Sequence, residues 1–199
     1  MSRLWLLVAI LGALATWAPT AADSPSRISA ETVKTTVTAF SHDQPLKQLP
    51  VEINPSSLVG EYVAAGIGYT YCLSLRPGGG FACKRGGCLG VYERASGQWS
   101  IDRHGITLVP KEREGFLGGF TNERHVFLGD YPEERVHVVS FEGHYLLVRE
   151  CHFAIFKKEG PSSFTCLCRD EARGLVEQEE ARVLDELVQR ELKAAGYEQ

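Results

Sequence analysis

Closely spaced turn signals divide the chain into short segments from Gly60 onward. The segment from Tyr69 to Leu75 alternates large apolar residues with smaller or polar ones, the two-residue period of a strand with one buried face. Pro77-Gly78-Gly79-Gly80 ends this segment, and Arg85-Gly86-Gly87 and His104-Gly105 provide later turn signals. Several short strands separated in this way predict an antiparallel sandwich or barrel.

The clearest hairpin lies near the end of this β region. Its strands are Arg135 to Phe141 and His144 to Arg149, joined by a two-residue Glu142-Gly143 turn. This register pairs Phe141 with His144, Val139 with Leu146, and Arg135 with Glu150. We expect the second strand to continue through Phe153 and Ile155, with a bulge near Glu150 that shifts the parity of its apolar residues.

The period changes at residues 169–199, where the pattern predicts an amphipathic helix that follows the barrel. Gly196 is placed to end it. The helix either docks against the barrel or pairs with a protein partner. The apolar residues of its one face are Val176, Val183, Leu184, Leu187, Val188 and Leu192.

The first 22 residues have the layout of a secretory leader. Arg3 precedes an apolar run from Leu4 to Leu14, and Thr20-Ala21-Ala22 provides small residues before a cleavage point. The apolar run is shorter than the roughly 20 residues that a membrane helix needs. We therefore expect a secreted or periplasmic protein with no membrane span after cleavage. Residues 23–58 would be a flexible N-terminal segment, and residues 59–168 the barrel domain.

The expected export bears on the cysteines, because exported proteins enter an oxidising environment in which disulfides form. An even number of cysteines in an exported chain predicts disulfides, although the sequence does not fix which residues pair. Cys83 and Cys88 could face each other across a hairpin. Zinc sites usually have two closely spaced ligand pairs such as CxxC, and this chain contains no CxxC. The expected disulfide residues are Cys72, Cys83, Cys88, Cys151, Cys166 and Cys168.

No catalytic motif is present, so we expect a protein that is not an enzyme and uses no cofactor. Gly-x-Ser-x-Gly, His-Glu-x-x-His and the dinucleotide-binding glycine pattern are all absent. Cys151-His152 resembles a nucleophile beside its base, but neighbours on a strand would point to opposite faces. His137 and His144 lie at opposite ends of one hairpin face, so no metal site is expected. The slight net negative charge and the lack of a basic patch argue against nucleic-acid binding.

Residues 60–110 carry a pattern of turns and aromatic residues that resembles small bacterial lipocalin-like barrels. Gly60-Glu61-Tyr62 matches their opening Gly-x-Trp or Gly-x-Tyr, and Gly97-Gln98-Trp99 matches a later strand start. A related group of envelope lipoproteins linked to copper stress carries a CxxC pair. This chain lacks that pair, so copper binding does not transfer.

The resemblance implies an antiparallel meander that closes into a lipocalin-like barrel, with a C-terminal α-helix against it and a small apolar or amphipathic ligand inside. The residues expected to line that pocket are Tyr69, Tyr71, Trp99 and Phe141. The alternative is a structural or protein-interaction module of the cell envelope, with a fully packed barrel and no catalytic role. A cavity among these aromatic residues would favour the binding hypothesis, and a filled interior would favour the alternative.

Overall fold

The computed structural model describes residues 31–41, 44–66, 68–87, 90–115 and 133–195. Within these ranges the chain is mainly β, with one large mixed sheet and two α-helices, so the expected fold class is confirmed at that level. The leader, Cys88 and Gly196 lie outside the described residues. The elements are β1 Val33–Ser41, β2 Gln44–Ile53, β3 Gly60–Gly66, β4 Tyr69–Leu75, β5 Gly80–Gly87, β6 Gly90–Asp102, β7 Gly105–Gly115, β8 Glu134–Phe141, β9 His144–Arg149, α1 Glu150–Glu159, β10 Cys166–Leu167 and α2 Asp170–Ala194.

The sheet follows chain order over most of its width. Strands β3 to β9 pair antiparallel with their neighbours, and β10 pairs with β9 at the end of this path. Strand β1 runs parallel to β8 beyond the last residues that β7 pairs, and β2 lies beside β1. One isolated antiparallel bridge joins Val63 of β3 to Cys168, the residue that follows β10.

Within residues 23–58, for which we expect a flexible segment, the described part of the chain contains two strands. Strands β1 and β2 are antiparallel, and a short 3-10 helix at Pro55–Leu58 follows them. Val37, Ile53 and Leu58 are buried in the core. The polar composition of this segment favours a flexible interpretation. Most of its polar residues lie at outward positions, whereas a few apolar ones are buried.

The β8–β9 hairpin has the predicted register between Phe141 and His144 and between Val139 and Leu146. Glu142 and Gly143 both have positive φ, at 47° and 79°, which a two-residue hairpin turn of this type requires.

The expected continuation of β9 is wrong, because the chain forms helix α1 at Glu150. Phe153 and Phe156 are three residues apart, so they lie on one buried face of a helix, whereas in a strand they would point to opposite faces. Gly160, with φ of 82°, ends the helix. Glu150 therefore does not pair with Arg135. Its carboxylate lies 2.5 Å from Nε2 of His137 instead.

The sheet is buried on its inner face along most strands and on its outer face only where the helices cover it. The inner core cluster includes Tyr62, Leu73 and Phe81. The outer core cluster lies between β8–β10 and the two helices, and its members are Val139, Phe141, Leu146, Val148, Phe153, Phe156, Cys166, Cys168, Ala172 and Val176.

The predicted C-terminal helix is present as α2. Only its first half is docked, since Ala172, Val176 and Glu179 are its buried residues. Beyond half-buried Val183 its large apolar side chains are exposed, including Leu184 at 59% and Leu187 at 42%. Among the described residues, no helix is long and apolar enough to cross a membrane.

Replacing Phe156 with Ala tests the outer core cluster. Phe156 is fully buried and packs near the rings of Phe40 and Phe153. We expect Phe156→Ala to lower the free energy of unfolding by about 3–5 kcal/mol, measured by urea denaturation. Leu184→Ala is the matched control on α2 and should change it by less than about 0.5 kcal/mol. Equal effects of the two substitutions would contradict the described packing.

Candidate functional site

A cavity of about 330 Å³ lies at the end of the sheet where β3 leads into β4. We call this the cavity end, and we call the opposite end, beside the 3-10 helix Pro55–Leu58, the base. Strand residues form one wall, helix α1 a second, and the segment before β10 a third. The lining residues are Ala64, Tyr69, Tyr71, Arg85, Arg149, Cys151, His152, Ile155, Phe164, Thr165 and Leu167.

Aromatic side chains form one side of the cavity. The rings of Tyr69 and Phe164 lie edge to face with their centroids 5.7 Å apart, and His152 of α1 lies 5.0 Å from Phe164. Gly66 permits this arrangement, because a Cβ atom there would lie 2.7 Å from the Tyr69 ring. The wall is therefore apolar and flat, as aromatic or aliphatic ligands require.

Two guanidinium groups reach the same cavity, one from β5 and one from the end of β9. Cζ of Arg85 lies 5.4 Å from the centre of the Tyr69 ring, and Cζ of Arg149 lies 4.8 Å from that of Tyr71. Such cation–π contacts hold each guanidinium against an aromatic face.

Arg149 forms a buried ion pair with Glu134 of β8. The exposed fractions of the two side chains are 11% and 10%. Burial lowers the pKa of Arg149, but the Glu134 carboxylate more than offsets this, so the net shift is upward. Arg149 is therefore a permanent cation. Its partner also has a buried oxygen, Oε2, with no hydrogen bond to any described residue.

Tyr71 is a deeply buried polar group of the cavity, with 4% of its surface exposed. Burial, aided by the nearby Glu134 carboxylate, raises its pKa well above the ordinary 10.0. Its hydroxyl lies near the Cys83 thiol and has no oxygen or nitrogen partner among the described residues. Tyr71 thus presents a neutral O–H group within the cavity.

Two of the four predicted pocket residues, Tyr69 and Tyr71, line this cavity, and the other two lie elsewhere. Trp99 is buried in the inner core cluster at the base, where its Nε1 donates to the carbonyl of Arg76 over 3.1 Å. Phe141 lies on the opposite face of the sheet, in the outer core cluster, and its ring centroid is 5.6 Å from that of Phe40.

The base is closed by Arg169, the residue before α2. Its Nη2 donates to the carbonyls of Ser57 and Val59, over 2.5 and 3.0 Å, and to Oη of Tyr62 over 2.9 Å. Its guanidinium also lies 5.0 Å from the centre of the Tyr62 ring. These contacts fasten the 3-10 helix across this end of the sheet.

The sequence pattern does not reveal Arg85, Arg149 or Phe164 as cavity residues. A signal for the arginines is present, since Arg85 pairs with Tyr71 in the ladder and Arg149 shares the inward parity of Leu147. Phe164 lies between elements, where no periodicity predicts its direction.

The cysteines differ from the expectation of disulfides. The structure has Cys72, Cys83, Cys151, Cys166 and Cys168 as free thiols. The positions of Cys83 and Cys72 in the sheet explain why these two do not form a disulfide with each other. Cys83 pairs with Leu73 and Ala95 in the ladders, so no cysteine lies opposite it, and Cys72 faces the other side of the sheet.

Cys151 and His152 both line the cavity, because they lie on α1 rather than on a strand. Burial raises the pKa of the Cys151 thiol, although Arg149 opposes the shift. A raised pKa keeps the thiol protonated near neutral pH, and a protonated thiol is a poor nucleophile. Among the described residues, no group of three or more potential ligands could hold a metal ion.

A second concave surface lies on the outer face of β3–β7 and is far more open. It carries charges of both signs, from Arg76, Lys84, Arg94 and Arg113 and from Glu61, Glu112 and Glu114. It lacks the enclosing aromatic wall of the cavity.

We find no match to this chain among protein-family models, curated proteins or solved structures.

The buried ion pair makes a quantitative prediction about stability. Glu134→Leu leaves Arg149 buried without its carboxylate, and we expect it to lower the free energy of unfolding by about 3–5 kcal/mol. Adding Arg149→Met removes the stranded charge and should restore most of that loss. Urea denaturation of both variants checks this, and a loss below about 1 kcal/mol for Glu134→Leu would contradict the buried pair.

Thiol alkylation tests the described cysteines. Burial raises the pKa of Cys83 to about 11 and that of Cys166 to about 12. We expect N-ethylmaleimide at pH 8, without reductant, to modify exposed Cys151 in the folded protein and to spare Cys83 and Cys166 until urea unfolds the chain. Peptide mass spectrometry locates the labels. A peptide cross-linked through Cys83 would overturn the thiol assignment and restore the sequence-based one.

Proposed function

We propose that this chain is an exported β-barrel protein that binds a small apolar or amphipathic ligand in the cavity. The observation that carries the proposal is the contrast between the two ends of the sheet. The base is filled by packed side chains and fastened by Arg169, whereas the cavity end encloses about 330 Å³ among aromatic and aliphatic residues. Pockets of a few hundred Å³ with apolar walls and a few placed polar groups are typical of small-molecule sites.

Closure of the sheet into a barrel is part of the proposal. The bridge between Val63 and Cys168 supports it, because two backbone hydrogen bonds of 2.8 and 3.0 Å join these residues. The amide of Ala65 also donates to the carbonyl of Ser163 over 2.8 Å. These bonds bring β3 against the segment around β10, the two ends that closure would join. A closed barrel has no exposed edge between them.

Export rests on the leader pattern of residues 1–22, and the binding role is independent of it. The same cavity would bind its ligand in any compartment. Secretion or periplasmic transfer would place that ligand outside the cytoplasm.

Titration with the neutral fluorescent probe N-phenyl-1-naphthylamine tests the binding function. We expect saturable binding with one site per chain and a fluorescence increase as the probe leaves water. Ala64→Phe should reduce probe affinity at least about tenfold, because Ala64 is buried and lines the cavity, so a phenyl ring there occupies the ligand's space.

The matched control is Ala65→Phe. Ala65 is the next residue of β3, and its side chain is exposed on the other face, so the same added volume should leave probe binding unchanged. Circular dichroism of both variants verifies the fold. Equal affinity of the wild type and folded Ala64→Phe, or no binding by the wild type, would refute the proposed site.

The second candidate function is a protein-interaction module. The exposed apolar residues of α2, such as Leu184 and Val188, favour it. Light scattering across a concentration series separates the two functions. Self-association that Leu184→Lys abolishes, together with absent probe binding, would favour the interaction module.

A further inference from the structure

The cavity has a marked polarity that the binding function alone does not require. Among the described residues, its lining includes the guanidinium groups of Arg85 and Arg149 but no carboxylate. Glu134, the partner of Arg149, lies outside the lining, as does Glu93, the ladder partner of Arg85. A ligand in the cavity would therefore contact the cations and not their counter-charges.

The two guanidiniums act on one small region of the cavity. Arg85 contacts the Tyr69 ring and Arg149 the Tyr71 ring, and these tyrosines lie two residues apart on the inward side of β4. Both arginines also influence the Tyr69 hydroxyl electrostatically. The cations therefore converge at the start of β4 and are not spread around the rim.

The hydroxyl of Tyr71 is a third polar group at this cavity. This side chain is more than nine-tenths buried, lines the cavity, and has no oxygen or nitrogen partner among the described residues; its hydroxyl donates to the Cys83 thiol. A sulfur atom is a weak acceptor, and hydrogen bonds to charged groups are stronger. A ligand carboxylate in the cavity would therefore be a better acceptor for the Tyr71 hydroxyl.

We propose that the cavity selects an acidic amphipathic ligand whose carboxylate lies between Arg85 and Arg149 and accepts a hydrogen bond from the hydroxyl of Tyr71. This inference rests on the proposed binding function and narrows its ligand class. The apolar body of the ligand packs against Tyr69 and Phe164, whose rings form the flat wall. Arginine favours this role because its planar group matches the geometry of a carboxylate.

Two naphthyl compounds of similar size test the charge preference. We would measure 1-naphthaleneacetic acid and 2-(1-naphthyl)ethanol by isothermal titration calorimetry at pH 7.5 and low salt. We expect the acid to bind at least about tenfold more tightly, since hydrogen bonds to charged groups are stronger than those between neutral ones. Raising the salt concentration should weaken the binding of the acid and leave the binding of the alcohol unchanged.

Tyr71→Phe tests the geometry with little risk to the fold, because the lost hydroxyl has only the Cys83 thiol, a weak acceptor, as its partner among the described residues. We expect the affinity for the acid to fall about tenfold and that for the alcohol to change less than about twofold. Tyr62→Phe is the control. It removes a hydroxyl at the base, which donates to the carbonyl of Leu58 over 2.9 Å, and should preserve the preference for the acid.

The outcomes separate the two levels of the argument. Equal binding of the acid and the alcohol would overturn the acidic ligand class and leave the binding function in place. A preference for the acid that Tyr71→Phe does not reduce would overturn the assigned position of the carboxylate. If neither compound nor the neutral probe binds, both proposals fall.

Discussion

Burial of the β8–β9 hairpin on both faces is the constraint on which the rest of the structure depends. Val136 and Leu147 point into the inner core cluster, whereas Val139, Leu146 and Val148 point into the outer one, and all five are fully buried. A strand pair with two apolar faces must be covered on both sides. The remainder of the sheet covers one side, and helices α1 and α2 cover the other.

This covering also positions the candidate site. Phe153 and Phe156 fix one side of α1 in the outer core cluster, and other residues of the same helix then line the cavity. The hairpin itself ends in Arg149, whose inward direction follows from the alternation that buries Leu147. Burial of the hairpin on both faces thus positions helix α1, which forms one wall of the cavity, and Arg149, one of its two cations.

The inner face of the sheet changes character along its length. At the base, Arg169 donates to backbone carbonyls and to Tyr62, so its charge is engaged by the fold. At the cavity end, Arg149 has a buried carboxylate partner and yet faces open volume. Paired charges of this kind are not needed for stability, since apolar replacements are often as stable. Their retention beside a cavity is consistent with a role in ligand recognition.

Local patterns predict the local features of this fold well. The alternation from Tyr69 to Leu75, the turn at Glu142-Gly143 and the helical period after Asp170 each depend on neighbouring residues, and the structure has all three. Long-range features were missed. Nothing near Phe153 distinguishes a short amphipathic helix from a bulged strand, because its burial depends on Phe40 and the outer face of a sheet formed elsewhere in the chain.

The site shows the same division. Strand parity places Tyr69 and Tyr71 on the inward face of β4, where both line the cavity, and their contact with a ligand stays a prediction of the resemblance. Phe141 was assigned inside although it lies outside, since both faces of its strand are apolar and the sequence does not say which one meets the core.

Two-dimensional NMR during titration with 1-naphthaleneacetic acid shows which amides lie at the ligand site. We expect saturable shifts for Ala64, Tyr69, Tyr71 and Arg149 at the cavity end, with Trp99 at the base unchanged. Shifts centred on Lys84 and Arg94, in the outer concave surface, would place the ligand on the wrong face of the sheet and contradict the account.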